Sequence, residues 1–246
     1  MRAIVTELER ECQNCAVSNP GPGRPRLEQR RRPGTTPRAE ILDAAAELFT
    51  NNGYANTSTR RIADEVGIRQ ASLYHHFATK DDILDALLAD TIADALALSR
   101  QLVGADAPAA ARLYALVRFD ATQLCAGRWN LGALYQLPEL RTERFADFRH
   151  RRSRLRRDYA TIARDVLAEI DAETTTPTDA AVAELPFRLV ETAISIRSDD
   201  GRSPRWAARV MPAAALQMLG WTGDLRVVAA LAADLVNSST APRADE

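Results

Sequence analysis

Residues 58–77 read STRRIADEVGIRQASLYHHF, and this stretch decides the fold. Ser58 opens a short helix that carries Ile62, Ala63 and Val66 on one side, and Gly67 breaks it. A second short helix follows over 69–76. Two helices of this size joined by a tight glycine turn form a helix-turn-helix, whose second helix fits the DNA major groove and offers side chains near its N-terminal end to base edges. Ile62, Ala63, Val66, Ile68, Ala71 and Phe77 can knit the pair onto a preceding helix.

That preceding helix is clearly punctuated. Thr36 is a natural N-cap, Pro37 suits the first helical position, and Gly53 suits the end. Between them Ile41, Leu42, Ala45, Leu48 and Phe49 make one apolar stripe. Downstream, Thr79 with Asp82 three residues later has the form of a capping box. It opens a long helix with Ile83, Leu84, Leu87, Leu88, Ile92, Ala95 and Leu96 at helical spacing. Helical pattern continues over 109–126, 131–137, 141–172, 179–197, 204–219 and 223–236, with Pro186 and Pro212 expected to kink two of these. No stretch alternates with the period of a strand. The chain therefore reads as all-α: an arm over 1–35, a helix-turn-helix domain over 36–82, a helical domain over 83–238 and a tail over 239–246.

The residues around the glycine turn point to base reading. Arg69 and Gln70 stand at the start of the third helix, and arginine to guanine and glutamine to adenine are the favourable bidentate pairings. Ser72, Tyr74 and His75 follow on its exposed side. Thr57, Thr59, Arg60 and Lys80 flank it and are candidates for phosphate contacts, which fix register without reading sequence. His75 and His76 are adjacent, so on a helix they point about 100° apart and do not make a metal pair.

The run from Ala39 to Leu84, AEILDAAAELFTNNGYANTSTRRIADEVGIRQASLYHHFATKDDIL, resembles the DNA-binding region of the TetR family of transcriptional regulators. The resemblance rests on an ordered set: a helix ending in Leu48–Phe49, the Gly53–Tyr54 turn, Thr57–Thr59, Ile62–Ala63, Val66–Gly67, then Leu73–Tyr74–His75–His76–Phe77 followed by Lys80. It implies base and backbone contacts from Arg69, Gln70, Ser72, Tyr74 and His75, and phosphate contacts from Thr59 and Lys80. Many members have a small polar residue where Arg69 stands, so their operator sequences do not transfer. Beyond about residue 83 the resemblance is one of all-helical plan, which implies a homodimer and a small-molecule pocket.

Dimerisation also follows from geometry, because one short helix reads too few base pairs and two half-sites a DNA turn apart supply the rest. The expected dimer face lies on the last helices, at Phe187, Val190, Ile194, Met211 and Leu216. Tyr114, Val117, Arg118, Trp129 and Tyr135 are candidates for a pocket that takes a small apolar or amphipathic effector. The arginines over 149–157 spread around their helix and read as solvated surface.

Net charge is −1, but between 21 and 38 six arginines face a single acid, Glu28. Within that basic arm, Arg24-Pro25-Arg26 after Gly23 has the form of a minor-groove hook, with a solubilising leader as the alternative. Cys12 and Cys15 form a C-x-x-C without the second ligand pair that structural zinc needs, so neither metal nor cofactor is expected. Phosphate-loop and nucleophile-elbow motifs are absent, which argues against an enzyme. Without a signal peptide or a long apolar run, the expected location is the cytoplasm.

Overall fold

A computed structural model describes residues 32–171 and 180–240. The arm residues 1–31, with Arg24, Arg26, Cys12 and Cys15, and the last six residues lie outside it. Among the described residues there are nine α-helices: α1 (Pro37–Asn52), α2 (Thr59–Val66), α3 (Gln70–Tyr74), α4 (Lys80–Val103), α5 (Ala109–Ala126), α6 (Ala146–Asp171), α7 (Leu185–Asp200), α8 (Pro204–Met218) and α9 (Leu225–Thr240). None is both long and apolar enough to cross a membrane.

The local signals set the first four helices. Thr36 Oγ1 accepts from the Ala39 amide, with Pro37 at the first turn. Ser58 Oγ caps α2, and Gly67 ends it in the left-handed conformation (φ 75°), which a side chain would strain. Thr79 and Asp82 form the reciprocal capping box of α4.

Later boundaries depart from the pattern. Residues 131–145 form three short 3-10 turns rather than α-helix, and α6 begins at Ala146 instead of 141. Pro138 supplies no amide hydrogen, and Arg149 Nη1 donates to the Leu140 carbonyl (2.7 Å) and to that of Thr142, so the turns are held from outside. Pro186 does not kink a helix, because it sits in the first turn of α7. Pro212 is interior to α8, which continues through it.

The apolar core has two parts. One gathers α1–α3 and the first half of α4 around Ile41, Phe49, Ile62, Leu73 and Leu84, and it also takes Leu134, Leu140, Phe145 and Phe148 from beyond α5. The other gathers the second half of α4 with α5–α9 around Leu113, Leu116, Tyr159, Ile162 and Leu216. Helix α4 runs through both. The boundary expected at 82/83 thus falls inside one continuous apolar cluster. On α6, five arginines of the run pair with acids: Arg149 with Glu143, Arg151 with Asp147, Arg152 with Glu191, Arg154 with Asp158 and Arg156 with Glu184. Most of these side chains stand in water at the surface, as expected, and pairing with acids keeps them from forming a cation cluster.

Candidate nucleic-acid interface

Helix α3 stands at the surface with Leu73 turned into the core and Gln70, Ala71, Tyr74 and His75 exposed. Three of the expected residues meet there. The Gln70 amide donates to Thr59 Oγ1 (3.1 Å) and to the Tyr74 hydroxyl (3.3 Å), and the Thr59 and Tyr74 oxygens lie 3.1 Å apart. Because these bonds link α2 to α3, the polar face is ordered before any ligand arrives, which lowers the entropic cost of binding. Arg69 stands at the N-cap position of α3 without a side-chain capping bond, is exposed, and pairs with no described residue. Arg60 is exposed on the first turn of α2, and Ser72 is half-buried.

Beside this face, residues 55–59, Tyr74 and residues 78–80 enclose an open hollow of about 540 Å³. The N-termini of α2 and α4 both open into it, and unpaired amides at helix starts favour an anion. Asp82, at the third position of α4, stays ionised beside the hollow, and the paired Arg144 offsets its charge. Burial alone would raise its carboxyl, but hydrogen bonds from Arg144 (2.5 Å) and Thr79 outweigh that and hold it below the ordinary carboxylate value.

Two expected contact residues turn out to hold the hollow together. Thr57 is 1% exposed, and its hydroxyl donates to the carbonyls of Gly53 (2.9 Å) and Leu48 (3.3 Å). It cannot reach a phosphate; it ties the chain between α1 and α2. Lys80 Nζ donates to the carbonyls of Tyr54 (2.9 Å) and Thr57 (3.0 Å) and lies 4.0 Å from the Tyr54 ring centroid. The Tyr54 hydroxyl in turn donates to Asp81, and burial with that bond pushes the phenol well above its usual range. Lys80 therefore fastens the start of α4 to the α1–α2 turn instead of standing free.

Known proteins share this plan. The family model described as "Bacterial regulatory proteins, tetR family" matches residues 41–87. The crystal structure of Mycobacterium smegmatis AmtR is 59% identical with a TM-score of 0.79, over 85% of this chain and 98% of that one. The chain belongs to the TetR family. The ketosteroid transcriptional regulator KstR2 of Mycobacterium tuberculosis superposes with a TM-score of 0.61 at 25% identity, over 78% of this chain and 97% of that one. A transcriptional repressor of the same name from Rhodococcus jostii is 41% identical over 99 residues, 40% of this chain. This chain spans just under half (48%) of that repressor's length. The two KstR2 relatives carry the names of transcriptional regulators, the class expected here in place of an enzyme.

In this TetR-family chain the expected pocket residues do not converge. Tyr114 and Val117 are packed core. Trp129 lines a cavity between α4, the end of α5 and α7; Arg118 lines another between α5, α8 and α9; Tyr135 lines a third against α7. The Tyr135 hydroxyl donates to Thr91 Oγ1 at 2.6 Å. The expected dimer face also needs correction. Phe187, Val190, Met211 and Leu216 are 0–3% exposed and belong to the protomer's own core, leaving only Ile194 half-exposed. Helical spacing marks an apolar face but does not say whether that face meets its own chain or another. Exposed large apolar side chains on α7–α9 are instead Leu185, Met218, Val227 and Leu231.

Asp43 on α1 was not singled out in the sequence. It accepts from Trp129 Nε1 (3.0 Å) and pairs with Arg32 (3.3 Å) and Arg128 (3.4 Å). Its partners are up to 86 residues away, so no local signal marks it.

Proposed function

We propose that this chain is a homodimeric, sequence-specific DNA-binding regulator, acting as a repressor at a palindromic operator and responding to a small apolar or amphipathic effector. The observation that carries the reading is the ordered Thr59–Gln70–Tyr74 face with an unpaired Arg69 beside it and two helix N-termini opening next to it. Arg69 and Gln70 read base edges, with Ser72 and His75 alongside. Thr59, Tyr74 and Arg60 contact the backbone, and phosphates sit at the N-termini of α2 and α4. Two such faces, one from each protomer, set the half-site spacing. The outward side of α8 and α9, with Met218, Val227 and Leu231, supplies an apolar surface for pairing. The repressor names of relatives in Rhodococcus jostii and Mycobacterium tuberculosis favour repression over activation.

The test is selection of binding sites from a random duplex library, followed by affinity measurement. An inverted repeat with two half-sites about one helical turn apart is the expected outcome. Recovery of unrelated sequences with uniform affinity would overturn the reading.

A further inference from the structure

Residues 128–132 run between α7 and α1 and are clamped from both sides. On the α7 side, Asn130 Nδ2 donates to the Ile194 carbonyl (2.8 Å) and to Ser198 Oγ (2.6 Å). Gly132 packs so closely there that an added methyl carbon would lie 2.5 Å from Ile194 Cγ1. On the α1 side, Trp129 Nε1 donates to Asp43, and the Arg128 guanidinium stacks 4.6 Å from the Trp129 ring while pairing with the same carboxylate. Asp43 also receives Arg32, which continues to Glu47 on α1 and to Glu65 on α2 (2.7 Å). A line of direct contacts thus joins α7 to α2 without passing along α4.

A cavity of about 280 Å³ opens against this strut. Its walls include Thr91, Leu124, Ala126, Trp129, Leu131 and Arg197. Arg197 donates to the carbonyls of Leu124 (3.0 Å) and Gly127, so the end of α5 is tied to α7 as well. The cavity between α5, α8 and α9 touches no residue of the strut, and Tyr114 and Val117 are buried in the core.

We propose that the cavity against Trp129 is the effector site, and that its occupancy reaches α1 directly through the Trp129–Asp43 hydrogen bond. This rests on the reading of the chain as an effector-responsive DNA-binding regulator. The walls suit a small amphipathic molecule, its apolar body on the indole, Leu124 and Leu131, and its polar end toward Asp90, Gln123 and the edge of Arg197 not spent on carbonyls. The volume is at the low end for ligand sites, which holds the molecule to a compact one. A hydrogen bond at 3.0 Å weakens steeply as its length or angle departs from ideal. An indole displaced by a ligand therefore removes one of the three partners of Asp43 and unsettles a second, the Arg128 stacked on it, so that Arg32 alone is left to hold that carboxylate of α1.

The cavity can be filled without knowing the natural ligand. In a Cys12→Ser, Cys15→Ser background, Ala126→Cys places a thiol on the exposed rim, and benzyl methanethiosulfonate attaches a benzyl group through a reducible disulfide. The same treatment of the background protein controls for Cys125. The labelled protein should bind its library-selected operator at least about fivefold more weakly, with recovery on reduction. The label should change affinity less than about twofold when Trp129→Phe, or Asp43→Ala as a second variant, has removed the bond. Amide hydrogen exchange in α1 and α2, measured on the same samples without DNA, should be faster when labelled. Label-dependent exchange in a protein that selects no DNA would sink the regulator reading and leave the coupling standing. Unchanged exchange, or equal effects with and without the Trp129 N–H, would overturn the coupling.

Discussion

Lys80→Met separates two roles for the chain's single lysine. The substitution keeps the apolar stem and removes the charge, so the carbonyls of Tyr54 and Thr57 lose a charged donor at 2.9 and 3.0 Å. A hydrogen bond from a charged group contributes roughly 1.5–3 kcal/mol, and a partly exposed cation over a ring about 0.5–1 kcal/mol. Lys80 is only half-buried, and water can hydrate the two carbonyls once it is gone, so each contribution belongs at its low end. The expected loss is about 3.5 kcal/mol in all. For a chain of this length that lowers the melting temperature by roughly 7–14 °C. Circular dichroism melts and urea unfolding of wild type and variant measure it. Fluorescence anisotropy on selected and random duplexes should show weaker binding to both, because the wall of the phosphate hollow shifts. An unchanged melting temperature with lost DNA affinity would refute the reasoning, since Nζ would then be a free phosphate contact.

Arg69→Ala should relax preference at one base position per half-site, by ~1–3 kcal/mol of discrimination; a selected motif identical to wild type would remove Arg69 from base reading. Leu231→Glu should convert the dimer to monomer in analytical ultracentrifugation, and an unchanged dimer mass would place the interface away from α9. Asp120 is buried and accepts from the Tyr159 hydroxyl at 3.0 Å; burial, reinforced by Glu191 and opposed by that bond, pushes its carboxyl up to about 7. The folded chain then holds the proton more tightly than the unfolded chain, where the carboxyl titrates near ~3.9. Its stabilising effect is thus fully present below about pH 4 and is lost as pH rises toward 7. Asp120→Asn should flatten the fall in melting temperature between about pH 4 and 7, and parallel profiles for the two proteins would contradict the shift.

What could be read in the sequence was what neighbours within a few residues determine. Thr36 with Pro37, Ser58, Gly67, and Thr79 with Asp82 all act on amides or turns nearby, and each sits where its chemistry indicated. Thr57 and Lys80 were assigned to phosphates because a hydroxyl and an ammonium suit phosphates. Their actual partners are carbonyls brought close by the fold, 23 and 26 residues away in the case of Lys80. Phe187, Val190, Met211 and Leu216 carried an apolar pattern that core and interface share. Asp43 and Trp129 meet across 86 residues, a distance over which periodicity carries no information.

The borrowed residues of the first core have a consequence for modularity. Leu134, Leu140, Phe145 and Phe148 complete the apolar cluster beneath α1–α3, yet they come after α5. A chain cut after α4 would present that underside to water and invite aggregation. The reading head is therefore not a transplantable cassette. A chimera joining it to another regulator's body should need residues 131–148 carried along, or a replacement that offers equivalent greasy side chains at that seam. Recombination between related genes meets the same restriction, since swapping at the end of α4 separates two surfaces shaped for each other.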